Sequence, residues 1–360
     1  MPKTVGIAGA GIMGRLMALA LHDKGWQVSL YDADHEKGAD SCTWVGAGML
    51  APSCELESAE PDVALMGDAA LARWPELLAG LDAPVGFSQK GSLVVAHPGD
   101  RSELERLHDR VVSGRADASF MSRVLSDEIA ELEPGLGTRF SSGLYFPGEA
   151  HINNRDLLVA LAASLHARGI AWHQAVDVLA VEADGVLRMA DGDTTFDMVL
   201  DCRGLGARAQ LTDLRGVRGE LVYLEAPEVA LTRPVRLMHP RYPIYVVPRG
   251  DGIFVVGATA IESEDRGPVT VRSVMELLSA AYSVHPAFSE GRLLEAITQC
   301  RPAFPDNRPR LYYGNKIMRI NGLYRHGFLL APRLMDLAME WIESGQTPEG
   351  AKCIAHQEAA

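Results

Sequence analysis

The chain has 360 residues, 47% apolar and 22% charged, enough for one large or two interleaved globular units and too apolar for a disordered chain. Its formal net charge of −13, with no run of Lys or Arg, excludes nucleic acid and anionic membrane as the main partner, because phosphate binding needs a basic footprint. Five scattered cysteines (Cys42, Cys54, Cys202, Cys300, Cys353) form no C-x-x-C pair, which speaks against a zinc site or disulfide framework and suits a reduced cytoplasm. No apolar run approaches the ~20 residues needed to span a bilayer, and residues 1–3 lead straight into a strand pattern rather than a targeting segment.

Residues 4–8 read as a buried strand, and Gly9-Ala10-Gly11-Ile12-Met13-Gly14 follows at once, opening a helix to about residue 24 and then a strand at 27–31. In such a βαβ unit Gly9 permits the tight turn, Gly11 lets a pyrophosphate approach the backbone and Gly14 lets helix and strand pack closely. Asp32 stands where an acid accepts hydrogen bonds from a ribose hydroxyl. The unit does not decide between NAD and FAD. Residues 41–49 are small and glycine-rich, like backbone laid against a flat ligand.

Further along, the spacing predicts helices at 62–79, 102–112, 126–132 and 154–168, and strands at 91–96, near 172, at 176–182 and at 196–201. A second glycine-rich turn, Cys202-Arg203-Gly204-Leu205-Gly206, closes the last of these. From residue 219 the pattern changes to successive strands at 221–225, 242–248 and 252–258 with short turns, which implies an antiparallel sheet interrupting the α/β unit. The C-terminal part returns to α/β with a strand at 316–320 and a helix at 329–344.

Four segments together resemble the D-amino-acid-oxidase superfamily, most of all glycine oxidase of the thiamine-biosynthesis type. They are 5–14 with Asp32; Ala47-Gly48-Met49-Leu50; Tyr245-Val246-Val247-Pro248-Arg249 with Val256-Gly257-Ala258-Thr259; and Arg301-Pro302 with residues 324–332. The resemblance implies a Rossmann-like FAD-binding domain (1–85, 140–218 and 312–360) interleaved with a substrate domain on a mainly antiparallel sheet (86–139 and 219–311). It implies non-covalent FAD held by Gly9, Gly11, Ile12, Met13, Gly14, Asp32, Ala47, Gly48, Met49, Val178, Cys202, Gly204, His326, Gly327, Phe328 and Leu329.

The family's carboxylate clamp then falls on Arg301 and Arg325, with Tyr245 donating a further hydrogen bond; paired guanidinium donors match a carboxylate in plane and charge. Backbone N–H groups near 327–329 and the helix dipole would stabilise negative charge on the reduced flavin. The implied reaction moves a hydride from Cα of a neutral amino acid to flavin N5, with dioxygen as acceptor. The imine is hydrolysed or used for the thiazole of thiamine. No acid, base or metal is implied, and His151, His239 and His326 read as structural.

Three residues depart from the family pattern: Cys300 where glycine is expected, Ala260 where a larger apolar residue stands, and Arg203 in a flavin-side turn usually given to small residues. Ala260 points to a roomier pocket, so an N-substituted glycine or a larger amino acid enters as an alternative substrate. A D-amino acid or sarcosine-type enzyme, an NAD-linked dehydrogenase and a non-catalytic FAD-binding assembly subunit are the competing readings. Assembly into a homo-oligomer is left open.

Overall fold

The computed structural model describes residues 1–115 and 119–358. A seven-stranded sheet has the order Ala355–Gln357, Arg310–Tyr313, Ile317–Asn321, Met198–Asp201, Thr4–Ala8, Gln27–Tyr31, Ala171–His173. Its pairs run parallel except Arg310–Tyr313 with Ile317–Asn321. The central strands are buried almost throughout because both faces are covered, as their unbroken apolar runs anticipate. On one face lie the helices Ile12–Asp23, Pro61–Ala79, Asn154–Ala167 and Gly327–Ser344. Ile12–Asp23 buries Ile12, Met13, Leu16, Met17 and Leu21, a stripe at three- and four-residue spacing. Trp74, wholly buried, donates its indole N–H to the Phe328 carbonyl at 3.1 Å and joins two of these helices. Truncating such a residue costs about 3–5 kcal/mol. A meander of Val178–Glu182, Val186–Met189 and Gly192–Thr195 covers the other face through Val181, Leu187 and nearby Phe196.

The second sheet has eight strands in the order Arg292–Ala303, Arg215–Glu225, Ile253–Gly257, Ile244–Gly250, Val235–Met238, Ser92–Ala96, Ser142–Phe146, Ser122–Leu125. It is antiparallel except where Val235–Met238 runs parallel to Ser92–Ala96. Helix Val271–Val284 packs Leu277, Ala281 and Val284 onto one face, against Val222, Val246 and Phe254. The opposite face presents Leu221, Tyr223, Val247 and Val255 to Trp44, Val45 and Ala47, which belong to the cofactor side.

Several expectations change. Ser142–Phe146, which the expected boundary at 140 assigns to the first unit, pairs with Ser92–Ala96 in the eight-stranded sheet. The strand expected at 221–225 begins at Arg215, and its partner Arg292–Ala303 carries too mixed a pattern to announce itself. Within residues 41–49, Cys42–Val45 forms one helical turn that was not expected, capped by Ser41 Oγ accepting from Trp44 N at 3.2 Å. No helix among the described residues is long and apolar enough to cross a membrane.

Candidate active site

The parallel strands point their C-terminal ends at a crevice, where α/β sheets bind ligands. Gly9, at φ +97°, turns the chain so tightly that a Cβ would stand 2.5 Å from the Cys202 carbonyl oxygen. A Cβ on Gly14 would stand 1.8 Å from the Gly9 oxygen, so strand and helix approach as closely as the motif requires. A cavity of about 450 Å³ opens before this loop, walled by Gly9, Gly11, Ile12, Met13, Asp32 and the turn Cys202-Arg203-Gly204. Asp32 is anchored there: its carboxylate accepts from Ala10 N and, at 2.7 Å, from Asp34 N.

A second cavity of about 430 Å³ lies between the eight-stranded sheet and the helix Gly327–Ser344. Cys42, Gly46, Gln299, Arg301, Arg325 and Phe328 line both cavities, so they form one continuous cleft from the glycine loop to the sheet. Ala47, Gly48, Met49, His326 and Leu329 line the second cavity, and Gly327 the first. The N-terminus of the long helix therefore sits where the cavities meet. The residues fit an extended flat dinucleotide: a glycine cradle at one end, small residues along the middle and a helix N-terminus at the far end.

Arg301 and Tyr245 reach the second cavity from different strands, each laid over a glycine. A Cβ on Gly219 would stand 2.3 Å from Arg301 Nη2, and one on Gly257 would stand 2.8 Å from the Tyr245 hydroxyl. Arg301 donates Nη1 to the Thr259 carbonyl at 3.1 Å and has no carboxylate partner among the described residues. Burial pushes the Tyr245 phenol up, which keeps it a donor at neutral pH. Arg325 lines the same cavity, but its fork is already engaged: Nε donates to Glu55 at 2.7 Å and Nη2 to Ser58 Oγ at 2.7 Å. Only one terminal nitrogen, Nη1, is uncommitted among the described residues, so the two arginines are not equivalent.

Glu55 was not found from sequence. Burial works against its charge, but Arg325, with the His326 ring nitrogen 3.3 Å away, outweighs it and holds the carboxyl well below the usual carboxylate range. Beside it, Arg236 pairs with Glu57 and donates to the Cys54 carbonyl at 3.0 Å. Both acids line the cavity, yet each is neutralised by its own arginine.

Val178 and Gly14 are the two expected cofactor residues absent from the cavity walls. Gly14 acts through packing; Val178 is buried, and its carbonyl accepts from Arg203 Nη1 at 2.6 Å. This hydrogen bond helps to explain Arg203. Its guanidinium forks onto Asp201 at 2.9 and 2.7 Å, while Arg319 donates to the same carboxylate at 2.8 Å. Arg203 is thus tied down by a buried acid rather than presented to a ligand. Cys300 turns its sulfur toward the Ser263 and Asp265 carbonyls, at 3.8 and 3.7 Å. His239 accepts from Arg241 N and Tyr242 N at 3.1 Å each, a turn-forming role, and burial lowers the pKa of His151 to about 4, so it is neutral.

A glycine-loop crevice joined to a sheet-roofed pocket with an arginine and a phenol fits a flavin-dependent oxidoreductase. Residues 4–341 match the family described as FAD dependent oxidoreductase (DAO), and the chain belongs to it. It is an enzyme of that family, and its cofactor is FAD.

Among relatives, it is 43% identical over 328 residues to a putative thiamine biosynthesis oxidoreductase ThiO of Rhizobium etli, covering 91% of this chain and 93% of that one. Its structure is similar to that of iminodiacetate oxidase from Chelativorans sp., with TM-score 0.84, 25% identity and coverage of 99% and 100%. The fold is shared also with glycine oxidase from Geobacillus kaustophilus, with TM-score 0.84, 22% identity and coverage of 99% and 100%.

Proposed function

We propose that the enzyme oxidises glycine, or a closely related small amino acid, at Cα to the imine, with dioxygen as electron acceptor, and that the imine feeds the thiazole of thiamine. The observation that carries this reading is the pairing of Arg301 and Tyr245 over Gly219 and Gly257, in the cavity continuous with the cofactor crevice. The relative named for thiamine biosynthesis supports the destination of the product. Bound FAD supplies the acceptor for the two electrons of the Cα–H bond, and dioxygen takes them on as hydrogen peroxide.

The chain's own residues do the positioning. Arg301 holds the substrate carboxylate through paired donors, Tyr245 adds a hydrogen bond, and Arg325 contributes its remaining nitrogen. The glycine-rich backbone from Gly46 to Gly48, with Phe328, would lie along the flat cofactor. The Gly327–Ser344 helix N-terminus would hold the flavin N1/C2=O end, where its dipole favours negative charge. No side chain is needed to take a proton if the amine arrives neutral, which agrees with Glu55 and Glu57 each being bound to an arginine.

A second substrate class has an observation of its own. Ala260 lies in the cavity wall with the exposed Arg241 and Arg272, so an N-substituent carrying a second carboxylate would meet space and positive charge. An anaerobic panel of glycine, sarcosine, N-ethylglycine, iminodiacetate, D-alanine and D-proline, scored by flavin bleaching, tests both. Fast bleaching by glycine or sarcosine supports the first reading, and preference for iminodiacetate supports the second. No bleaching by any amine would refute both.

A further inference from the structure

The cofactor cavity is acidic at its glycine-loop end, where Asp32, Asp34 and Asp40 line it, yet a dinucleotide brings two further negative charges through its diphosphate. Part of the loop's donor set is already used: Ala10 N–H goes to Asp32, and Ile12 N–H goes to Thr43 Oγ1 at 3.3 Å. The helix dipole, equivalent to roughly half a charge, cannot balance this alone.

Four arginines line the cavity, and three are accounted for. Arg203 is forked onto Asp201, Arg325 is shared between Glu55 and Ser58, and Arg301 lies over Gly219 on the substrate side. The fourth, Arg266, comes from the loop between Ile253–Gly257 and Val271–Val284, on the substrate-side sheet. It is exposed and pairs with no carboxylate among the described residues. Its Nη2 donates to the Asp40 carbonyl at 3.1 Å, the oxygen that also accepts from Gln299 Nε2 at 2.5 Å. Asp40 adjoins Ser41 and the Cys42–Val45 turn, and Thr43 of that turn touches the glycine-loop helix. Arg266 therefore reaches across from the substrate side to the cavity rim next to the helix N-terminus.

We propose that Arg266 is a cofactor-binding residue that pairs with the diphosphate of FAD and, with Gln299, straps the substrate-side loop over it. A guanidinium held by a neutral carbonyl keeps its full charge and spare donors for a phosphate, which it can meet with two parallel hydrogen bonds.

The test uses the holoenzyme and reads flavin release rather than turnover. After large dilution, recovery of free-flavin fluorescence gives the FAD dissociation rate, taken at low and high salt for wild type, Arg266→Gln, Arg266→Lys and Gln299→Ala. Losing a charge-assisted phosphate contact should speed release about tenfold or more in Arg266→Gln. Salt should accelerate release in the wild type more than in that variant, because the partly exposed ion pair is screened. Arg266→Lys should recover part of the effect, and Gln299→Ala, which keeps the charge, should release FAD more slowly than Arg266→Gln. Release from Arg266→Gln at the wild-type rate, or with unchanged salt dependence, overturns the proposal. Equal acceleration in Gln299→Ala, with wild-type salt dependence in both, would assign the effect to the strap and overturn the phosphate pairing.

Discussion

Replacing Arg301 and Arg325 by Ala, one at a time, should separate ligand binding from stability. In the fold, Arg301 holds one backbone carbonyl, that of Thr259 at 3.1 Å, so its removal costs stability about 0.5–1.5 kcal/mol. A substrate carboxylate would lose its paired donor, which costs about 2–5 kcal/mol in affinity, or roughly 30-fold to several-thousand-fold in Kd. Arg325 behaves in the opposite sense. Its loss leaves Glu55, 15% exposed, with only the His326 ring and the Arg236 guanidinium, itself paired to Glu57, nearby. A fully buried broken pair costs about 3–5 kcal/mol, but the Arg325 side chain is 27% exposed and water reaches the gap, which brings the expectation to about 1–3 kcal/mol. Affinity should fall less than in Arg301→Ala, since one nitrogen is all that Arg325 offers. Titration of a small carboxylate, followed by perturbation of the flavin absorbance, gives Kd, and thermal unfolding of the same samples gives Tm. Wild-type carboxylate binding by Arg301→Ala, or equal affinity losses in both variants with an unchanged Tm for Arg325→Ala, would refute the asymmetry.

Gly219→Ala should lower carboxylate affinity at least tenfold while FAD content stays normal, since the added carbon would lie 2.3 Å from Arg301 Nη2; normal affinity would show that the guanidinium rests elsewhere. Tyr245→Phe should cost about 1.5–3 kcal/mol of affinity, measured by the same titration. Glu55 has a folded pKa below its ordinary value of 4.5, so its stabilisation is complete above that value and is lost as pH falls through the folded value. The Tm difference between wild type and Glu55→Gln should accordingly be flat above pH 5 and shrink in acid. His151 has the reverse chemistry. Lowered from 6.5 to about 4, it leaves the unfolded chain binding the extra proton between these values, so stability falls by up to ~3 kcal/mol as pH drops across that window. His151→Phe should flatten this part of the stability curve, and an unchanged slope would contradict the assignment.

What the sequence reveals of the site depends on how local each interaction is. Gly9, Gly11, Gly14 and Asp32 are legible because a tight turn, a close helix and a strand end follow one another within twenty-four residues of chain. Arg301 and Tyr245 are legible through the motifs that carry them. Glu55 is not, because its partner Arg325 is 270 residues away and nothing in Cys54-Glu55-Leu56-Glu57 marks a buried acid. Arg203 looks anomalous in sequence since its counter-charge, Asp201, lies on a strand end that reads as apolar. The long strand Arg292–Ala303 escapes for a different reason. Its first half is largely exposed and its second half buried, so neither alternation nor a continuous apolar run persists along it.

That strand also limits where the chain tolerates a change of length. Arg215–Tyr223 and Glu295–Ala303 pair residue for residue, and their register shifts only at Tyr223/Leu224. Arg301 and Gln299, which serve the cleft, lie inside the regular stretch. One residue inserted there would turn Arg301 through the sheet to the face away from the cavity, because side chains alternate at every step. An insertion beyond the irregularity, in the turn Pro286–Glu290 that leads into the strand, leaves the regular ladder untouched. Loop grafts and affinity-tag insertions should therefore be absorbed at that turn, whereas deletion of a single residue between 295 and 303 should abolish carboxylate recognition even in a folded, flavin-loaded protein.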